Sequence, residues 1–230
     1  MKKSLIAAGI FLSVFSPKLL HAEWRAVEPG FQYRQDSASH FFRIDPRRLR
    51  IGLLLASDYG AAAMTADRYR TRSGALLSIN GGFFDESFRS LGLLVRKGRI
   101  VNPIRNVSWG IFSLSEKGPS IIHPKEWTPG ASTAIQVGPR LVVDGKIPSF
   151  KEAAPSRRSG ICITPDGQVE IGLAEGLISL RQWAEMMKKD CVQALNLDGG
   201  GSTQISVKAK NLNLELSGLT GVPNAIAIWR

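Results

Sequence analysis

The sequence predicts an α+β fold: a single domain of mixed, mostly antiparallel twisted sheet with a few flanking helices. Three observations point there. Short runs of apolar, β-branched and aromatic residues recur along the chain, separated by Gly-, Pro-, Asn- and Asp-bearing turns. Only two segments carry a helical period. No repeat, low-complexity tract or linker divides residues 23–230, a length that buries a real core as one domain.

Residues 1–22 read as a secretion signal. Lys2 and Lys3 give the positive start, Leu5 to Phe15 an apolar core too short to span a bilayer, and Leu20-His21-Ala22 a small-residue cleavage site. Leu20 stands where Ala is more usual, so an uncleaved anchor is the alternative. No later run is long and apolar enough to cross a membrane. The expected location is the periplasm or the medium.

Phe31 to Gln35, Phe41 to Ile44 and Leu49 to Ala56 read as strands. Ala61 to Tyr69 reads as a short helix with Ala62, Ala66 and Tyr69 on one face. Ala75 to Ile79 is a strand that stops at Asn80-Gly81-Gly82-Phe83-Phe84-Asp85. Leu91 to Arg96 and Arg99 to Val101 flank the hairpin turn Lys97-Gly98, and Ser108 to Leu114 follows as a strand. Ala134 to Val137 leads through Gly138-Pro139 into Arg140 to Val143, closed by Asp144-Gly145. Pro148 to Pro155 is the loosest stretch, a candidate loop over a site. Ile161 to Thr164 and Gln168 to Leu173 form a hairpin around Pro165-Asp166-Gly167. Ser179 to Lys189 is the clearest helix: Ser179 and Gln182 make a capping box, and Leu180, Trp183, Ala184 and Met187 share one face. Val192 to Leu197 and Ala225 to Trp229 complete the strands.

Removing the signal takes away Lys2, Lys3 and Lys18 and no acid, so the formal charge falls from +11 to +8. That balance favours anionic partners such as phosphorylated glycans, envelope polymer or a membrane surface. Export argues against nucleic acid. The plainer reading is that most Lys and Arg keep the surface soluble. Cys162 and Cys191 are an even pair in an exported chain, compatible with a disulfide or with two buried thiols.

The run Asn196-Leu197-Asp198-Gly199-Gly200-Gly201-Ser202-Thr203 is the most telling. A buried strand delivers a carboxylate to a loop of bare backbone, where N–H groups can meet an anion or a sugar. The segment from Asn80 to Asp85 repeats the design: apolar strand, Asn, glycines, then polar groups. If the two strands are neighbours in a sheet, both loops open at one edge and frame one cleft. Gly201 is followed by Ser-Thr-Gln and not Lys, which excludes a P-loop; G-x-S-x-G and H-E-x-x-H do not occur. His40 and His123 lie beside no evident nucleophile and read as structural. Carboxylates remain. Asp198 is the candidate nucleophile or base and Asp85 the candidate acid, with the roles interchangeable and Glu175 in reserve. The competing readings are an Asx turn at Asp198 and a turn cap at Asp85. Arg140, Arg157 and Arg158 are candidate phosphate ligands, each weighed against a solvated surface charge.

These stretches resemble the phosphodiester glycosidase family. The resemblance runs from about Ala75 to Trp229 and rests on Asn80-Gly81-Gly82-Phe83-Phe84, Gly138-Pro139-Arg140-Leu141-Val142 with Asp144-Gly145-Lys146, Arg158-Ser159-Gly160-Ile161, Leu197-Asp198-Gly199-Gly200-Gly201-Ser202-Thr203 and Pro223-Asn224-Ala225-Ile226, in that order. Ser159, Gly160 and Cys162 depart from the family's Thr, Ala and Gly. The resemblance implies hydrolysis of a sugar from a phosphodiester at the anomeric carbon. It implies Asp198 and Asp85 as catalytic groups, and Asn80, Arg158, Gly199, Gly200, Ser202 and Thr203 in the site. Gly81, Arg140 and Asn196 join them as expected substrate contacts. The expected partner is an anionic phosphorylated glycan or nucleotide-sugar-like molecule. No cofactor is required, although Ca²⁺ or Mg²⁺ on Asp198 and Asp85 would make a metal-dependent phosphodiesterase instead. A glycan-binding protein without turnover is the third reading.

Overall fold

The computed structural model describes residues 23–230 apart from residue 152, so the signal reading of residues 1–22 lies outside the described residues. Among the described residues three sheets organise the chain, and every strand pairing is antiparallel. The seven-stranded sheet runs Arg25–Glu28, Phe31–Asp36, Ser39–Ile44, Val169–Ile178, Ser156–Ile163, Gln193–Asn196, Arg140–Val142. The second, of five strands, runs Arg99–Asn102, Leu94–Arg96, Thr133–Val137, Gly110–Ser115, Gly118–Ile122. The third, also of five, runs Leu212–Leu216, Ile205–Ala209, Leu77–Asn80, Asn224–Trp229, Arg50–Leu55.

One core joins them. Phe42, Ile161, Ile171 and Leu195 of the first sheet, Leu94, Phe112 and Ile135 of the second, and Leu53, Ile79, Ile205 and Ile226 of the third belong to one buried cluster. Period-two alternation turns these side chains to one face. The other face of the seven-stranded sheet is covered by the helix Leu180–Lys188, whose Trp183, Ala184 and Met187 meet Phe41, Cys162 and Ala194. Two glycines make room for the indole. A Cβ on Gly172 would lie 2.8 Å from Trp183, and one on Gly160 3.1 Å. The capping box is present as expected: Gln182 N donates to Ser179 Oγ, and Ser179 N donates to Gln182 Oε1.

The first helix differs from its expected bounds. It runs Ala66–Ser73, because Thr65 Oγ1 accepts from Arg68 N at 3.3 Å and caps it there. Upstream, Met64 is held by a bridge to Val222. Tyr69 then packs against Met64, Val222 and Ala227 of the third sheet's outer cluster. The hairpin Ile205–Ala209 and Leu212–Leu216 and the strand Gly118–Ile122 have no counterpart in the sequence reading. Cys162 and Cys191 are bridged, which settles the choice the sequence leaves open.

Candidate active site

The strands ending at Asn80 and Asn196 are not neighbours. They lie in different sheets, and their loops meet across the gap. Asp198 N donates to Gly81 O at 3.1 Å. Asn80 Nδ2 donates to Asp198 O at 2.7 Å and to Ser159 Oγ at 3.0 Å. Ser159 Oγ donates to the same carbonyl at 2.8 Å, and Asn80 Oδ1 accepts from Gln204 N at 3.2 Å. Asn80 and Ser159 are fully buried, so these bonds are made away from competing water. Asn80 is therefore a scaffold that clamps the Asp198 peptide. The expected direct contact with substrate is not what its amide is used for.

The Asn80–Phe84 loop needs its first glycine. A Cβ on Gly81 would fall 2.0 Å from Asn224 Oδ1. That oxygen accepts from Gly82 N at 2.8 Å, while Asn224 Nδ2 donates to Ser90 Oγ at 2.9 Å. Gly81 is itself buried and serves this close approach.

The glycine loop adopts a 3-10 turn at Gly200–Ser202, entered through a left-handed Gly200 with φ of 61°. Gly199 N donates to Asp198 Oδ1 at 3.0 Å, so this N–H holds the carboxylate and is not part of an anion nest. Burial pushes the Asp198 carboxyl above its usual range; the Ser202 hydroxyl and the Gly199 N–H pull the other way and do not win. Thr203 is buried behind the turn, with its N–H on Gly200 O.

A cavity of about 900 Å³ opens in front of Asp198. Asp198, Gly199, Gly200, Asn196, Arg158 and Arg140 line it together. Arg158 is buried, with Nη2 on Ala154 O at 2.9 Å and Nε on Ile178 O at 3.3 Å. A Cβ on Gly199 would lie 3.9 Å from its Nη1, so the guanidinium sits against the glycine loop. Arg140 lies over Gly110, whose Cβ would clash with Arg140 Cγ at 2.7 Å. Asn196 Nδ2 donates to Leu197 O at 2.6 Å, and its buried Oδ1 has no partner among the described residues.

Asp85 is not part of this arrangement. It lies outside the cavity lining and closes its own turn. Its Oδ1 accepts from Ser87 N and Arg89 N, both at 2.9 Å, and Oδ2 from Arg89 Nε at 2.9 Å. The Arg89 backbone N–H is the largest influence holding its carboxyl low, followed by that residue's side chain. A carboxylate held ionised in this way is a poor proton donor, and the structure does not bring Asp85 and Asp198 together in one lining. Glu175, the reserve, bonds His40 Nε2 at 2.8 Å and is also outside the lining. Arg157 donates to Ser217 O at 2.9 Å and does not line the cavity either. Among the described residues, Asp198 is the one carboxylate that does.

The sequence reading misses His123, Phe83, Trp109 and Phe150, all in the lining. His123 Nδ1 accepts from Lys125 N at 3.1 Å, which leaves Nε2 to carry the proton of the neutral ring. Phe83 and Trp109 meet edge to face at 4.8 Å. Nothing local in the sequence marks His123 and Trp109, which come from the second sheet's loops; Phe83 and Phe150 lie in the Asn80–Asp85 and Pro148–Pro155 stretches, where the reading turns on other residues. Pro148 to Lys151, with Ala153 and Ala154, line the cavity, at the place expected of a loop over a site.

The profile of the phosphodiester glycosidase family matches residues 73–229. No curated protein matches the chain. The zebrafish N-acetylglucosamine-1-phosphodiester α-N-acetylglucosaminidase catalytic domain, auto-inhibited by its pro-peptide, superposes with a TM-score of 0.69 at 16% identity, covering 95% of this chain and 85% of that one. A hypothetical protein from Synechocystis gives 0.63 at 16% identity, covering 90% of this chain and 61% of that one. A putative exported protein from Burkholderia pseudomallei K96243 gives 0.61 at 14%, covering 87% and 74%. At these identities the structures speak for the fold. The family match covers most of the chain and all the site loops, so the chain belongs to the phosphodiester glycosidase family.

Proposed function

We propose that the protein is an exported hydrolase that cleaves a sugar from a sugar-1-phosphodiester at the anomeric C–O bond. The observation that carries this reading is the joint lining of one cavity by a half-buried carboxylate, Asp198, and two guanidinium groups, Arg140 and Arg158. The arginines bind the phosphodiester through charge-assisted bonds. Asp198 supplies the electron pair that reaches the anomeric carbon, directly or by taking a proton from the attacking water. The C–O bond breaks toward the phosphate, which departs with that bond's electrons through an oxocarbenium-like transition state. A phosphate leaves readily, so a second carboxylic acid is dispensable. His123 Nε2–H and the arginines are the donors available to the departing oxygen.

Asn80 and Ser159 act indirectly, by fixing the Asp198 peptide. Gly81, Ser202 and Thr203 shape the loops, while Gly199, Gly200 and Asn196 offer contacts to the sugar or phosphate. The metal reading would need Asp198 and Asp85 to share an ion, and Asp85 is committed to its own turn. The remaining competitor, glycan binding without turnover, uses the same arginines.

The test is release of free sugar from a nucleotide-sugar such as UDP-N-acetylglucosamine and from related sugar-1-phosphodiesters. Turnover lost in Asp198→Asn supports the hydrolase. Saturable, salt-sensitive binding with no product across the substrate panel would replace it with the binding protein.

A further inference from the structure

A second hollow, of about 550 Å³, adjoins the Asp198 cavity. Ser108 and His123 line both, so the two spaces meet at these side chains. Among the described residues, the second hollow is lined by two cations, Arg105 and Lys125, and by no acid. Glu126 follows Lys125 and is exposed, but lies outside that lining.

Contacts string the arginines along one path that starts at Asp198. Arg158 sits against Gly199, the residue after Asp198. Arg140 lies over Gly110. Gly110 follows Trp109, and the Arg105 guanidinium carbon lies 5.8 Å from the centroid of the Trp109 ring, within reach of a cation–π contact. The edge-to-face contact with Phe83 steadies that ring.

The backbone that carries the outer cations is anchored. Residues 103–109 belong to no strand, yet Gln136 reaches them from the interior of the strand Thr133–Val137. Gln136 is 1% exposed. Its Oε1 accepts from Arg105 N at 2.9 Å and its Nε2 donates to Arg105 O at 2.8 Å. A buried amide that spends two of its bonds on one surface residue fixes that residue without a sheet ladder. Across the hollow, Lys125 N donates to His123 Nδ1 at 3.1 Å. Cations on anchored backbone lose less freedom when they bind an anion than cations on a loose loop.

A single phosphodiester carries one negative charge, which Arg140 and Arg158 already match. Arg105 and Lys125 lie beyond them, where a leaving group with a second phosphate would place it. We propose that the hollow of Arg105 and Lys125 is the subsite for that second phosphate, so that the favoured substrates are sugar-1-phosphodiesters whose phosphate is linked to another, as in a nucleoside diphosphate sugar. The proposal rests on the hydrolase reading and names its substrate class. Arg105 binds the phosphate oxygens through its planar fork, and Lys125 adds a point charge. The reaction is unchanged: the water oxygen joins the anomeric carbon, one water proton passes to solvent, and the diphosphate departs with the electrons of the C–O bond.

The experiment is calorimetric titration of the mature chain with UDP and with UMP, at one pH and one salt concentration. Neither probe contains the bond to be cleaved, so the result does not depend on turnover. UDP should bind roughly tenfold or more tightly than UMP. Arg105→Gln with Lys125→Gln should cut that preference to about twofold or less, with the fold checked by circular dichroism. Lys117→Gln with Lys208→Gln removes the same charge from exposed positions outside both linings and should keep the preference. Equal binding of the two nucleotides, or no binding of either, would overturn the proposal. So would a preference that survives the Arg105 and Lys125 changes, or one that the control pair loses equally. A UDP preference in a chain that hydrolyses no sugar-1-phosphodiester would keep the subsite and remove the hydrolase.

Discussion

Asp198 is the residue on which the proposed chemistry turns. Its carboxyl lies above the usual range because burial outweighs two hydrogen bonds. In the folded state it therefore holds its proton to higher pH than in the unfolded chain. Its contribution to stability is fully present below the unfolded value and is lost as pH rises through the folded one. Asp198→Asn keeps an acceptor for Gly199 N and removes the buried charge. We expect it to lower the turnover rate by roughly 10²–10⁴-fold and to raise the melting temperature near neutral pH. The thermal gain should shrink as pH falls through the raised folded value of the wild-type carboxyl and vanish below the unfolded value of about 4. Melts and rates measured on the same two proteins check both halves. Asp85→Asn should leave turnover within about twofold while loosening the Ser87–Arg89 turn. A loss as large as that of Asp198→Asn would return Asp85 to the catalytic machinery. The sequence marks both acids alike, each near glycines after an apolar strand. Arg89, four residues on, absorbs one of them by closing a local turn on Asp85, the turn-cap reading that the sequence offers beside catalysis.

At the scale of elements, the site is a junction of loops. Asn224, on the edge of the last strand, braces the Asn80–Phe84 loop from behind. Gly81→Ala would place a methyl within 2.0 Å of its amide oxygen. We expect a cost of about 1–3 kcal/mol, read by denaturant unfolding, with activity falling as the Asp198 peptide shifts. Ser159→Ala removes one of two donors to the Asp198 carbonyl and should cost about 1 kcal/mol. Asn80→Ala also strands Gln204 N in the interior, and should cost more. The glycine-rich turns, the capped helix Leu180–Lys188 and most strands are legible in the sequence, because turn chemistry and periodicity are local. The Ala66–Ser73 helix is misplaced from sequence because Thr65 is a stronger start signal than the alanines before it. The pairing of Ile205–Ala209 with Leu212–Leu216 depends on the core that it completes, and its Lys- and Asn-rich alternation hides it.

At the scale of the molecule, three sheets around one core bring the ends of distant strands to one cavity. His123 and Trp109 belong to the site only through that convergence, so no motif announces them. A fully buried carboxylate, Glu170, lies under the outer helix. Burial, then the neighbouring Asp190, pushes the Glu170 carboxyl up to about 7, and Arg43, 3.2 Å away but shared with Asp190, does not offset them. The folded chain thus binds a proton that the unfolded chain has released above its value of 4.5. Stability should fall as pH rises from there to about 7, and Glu170→Gln should flatten that part of the stability curve.

The central claim is that a carboxylate and arginines in one cavity break the C–O bond of a sugar-1-phosphodiester. The most direct measurement is hydrolysis of UDP-N-acetylglucosamine, or of whichever sugar-1-phosphodiester proves to be turned over, in ¹⁸O-water by the mature protein and by Asp198→Asn. Mass spectrometry then locates the label. The account predicts ¹⁸O on the released sugar and its loss with Asp198→Asn. Label on the phosphate would mean P–O cleavage and would contradict it.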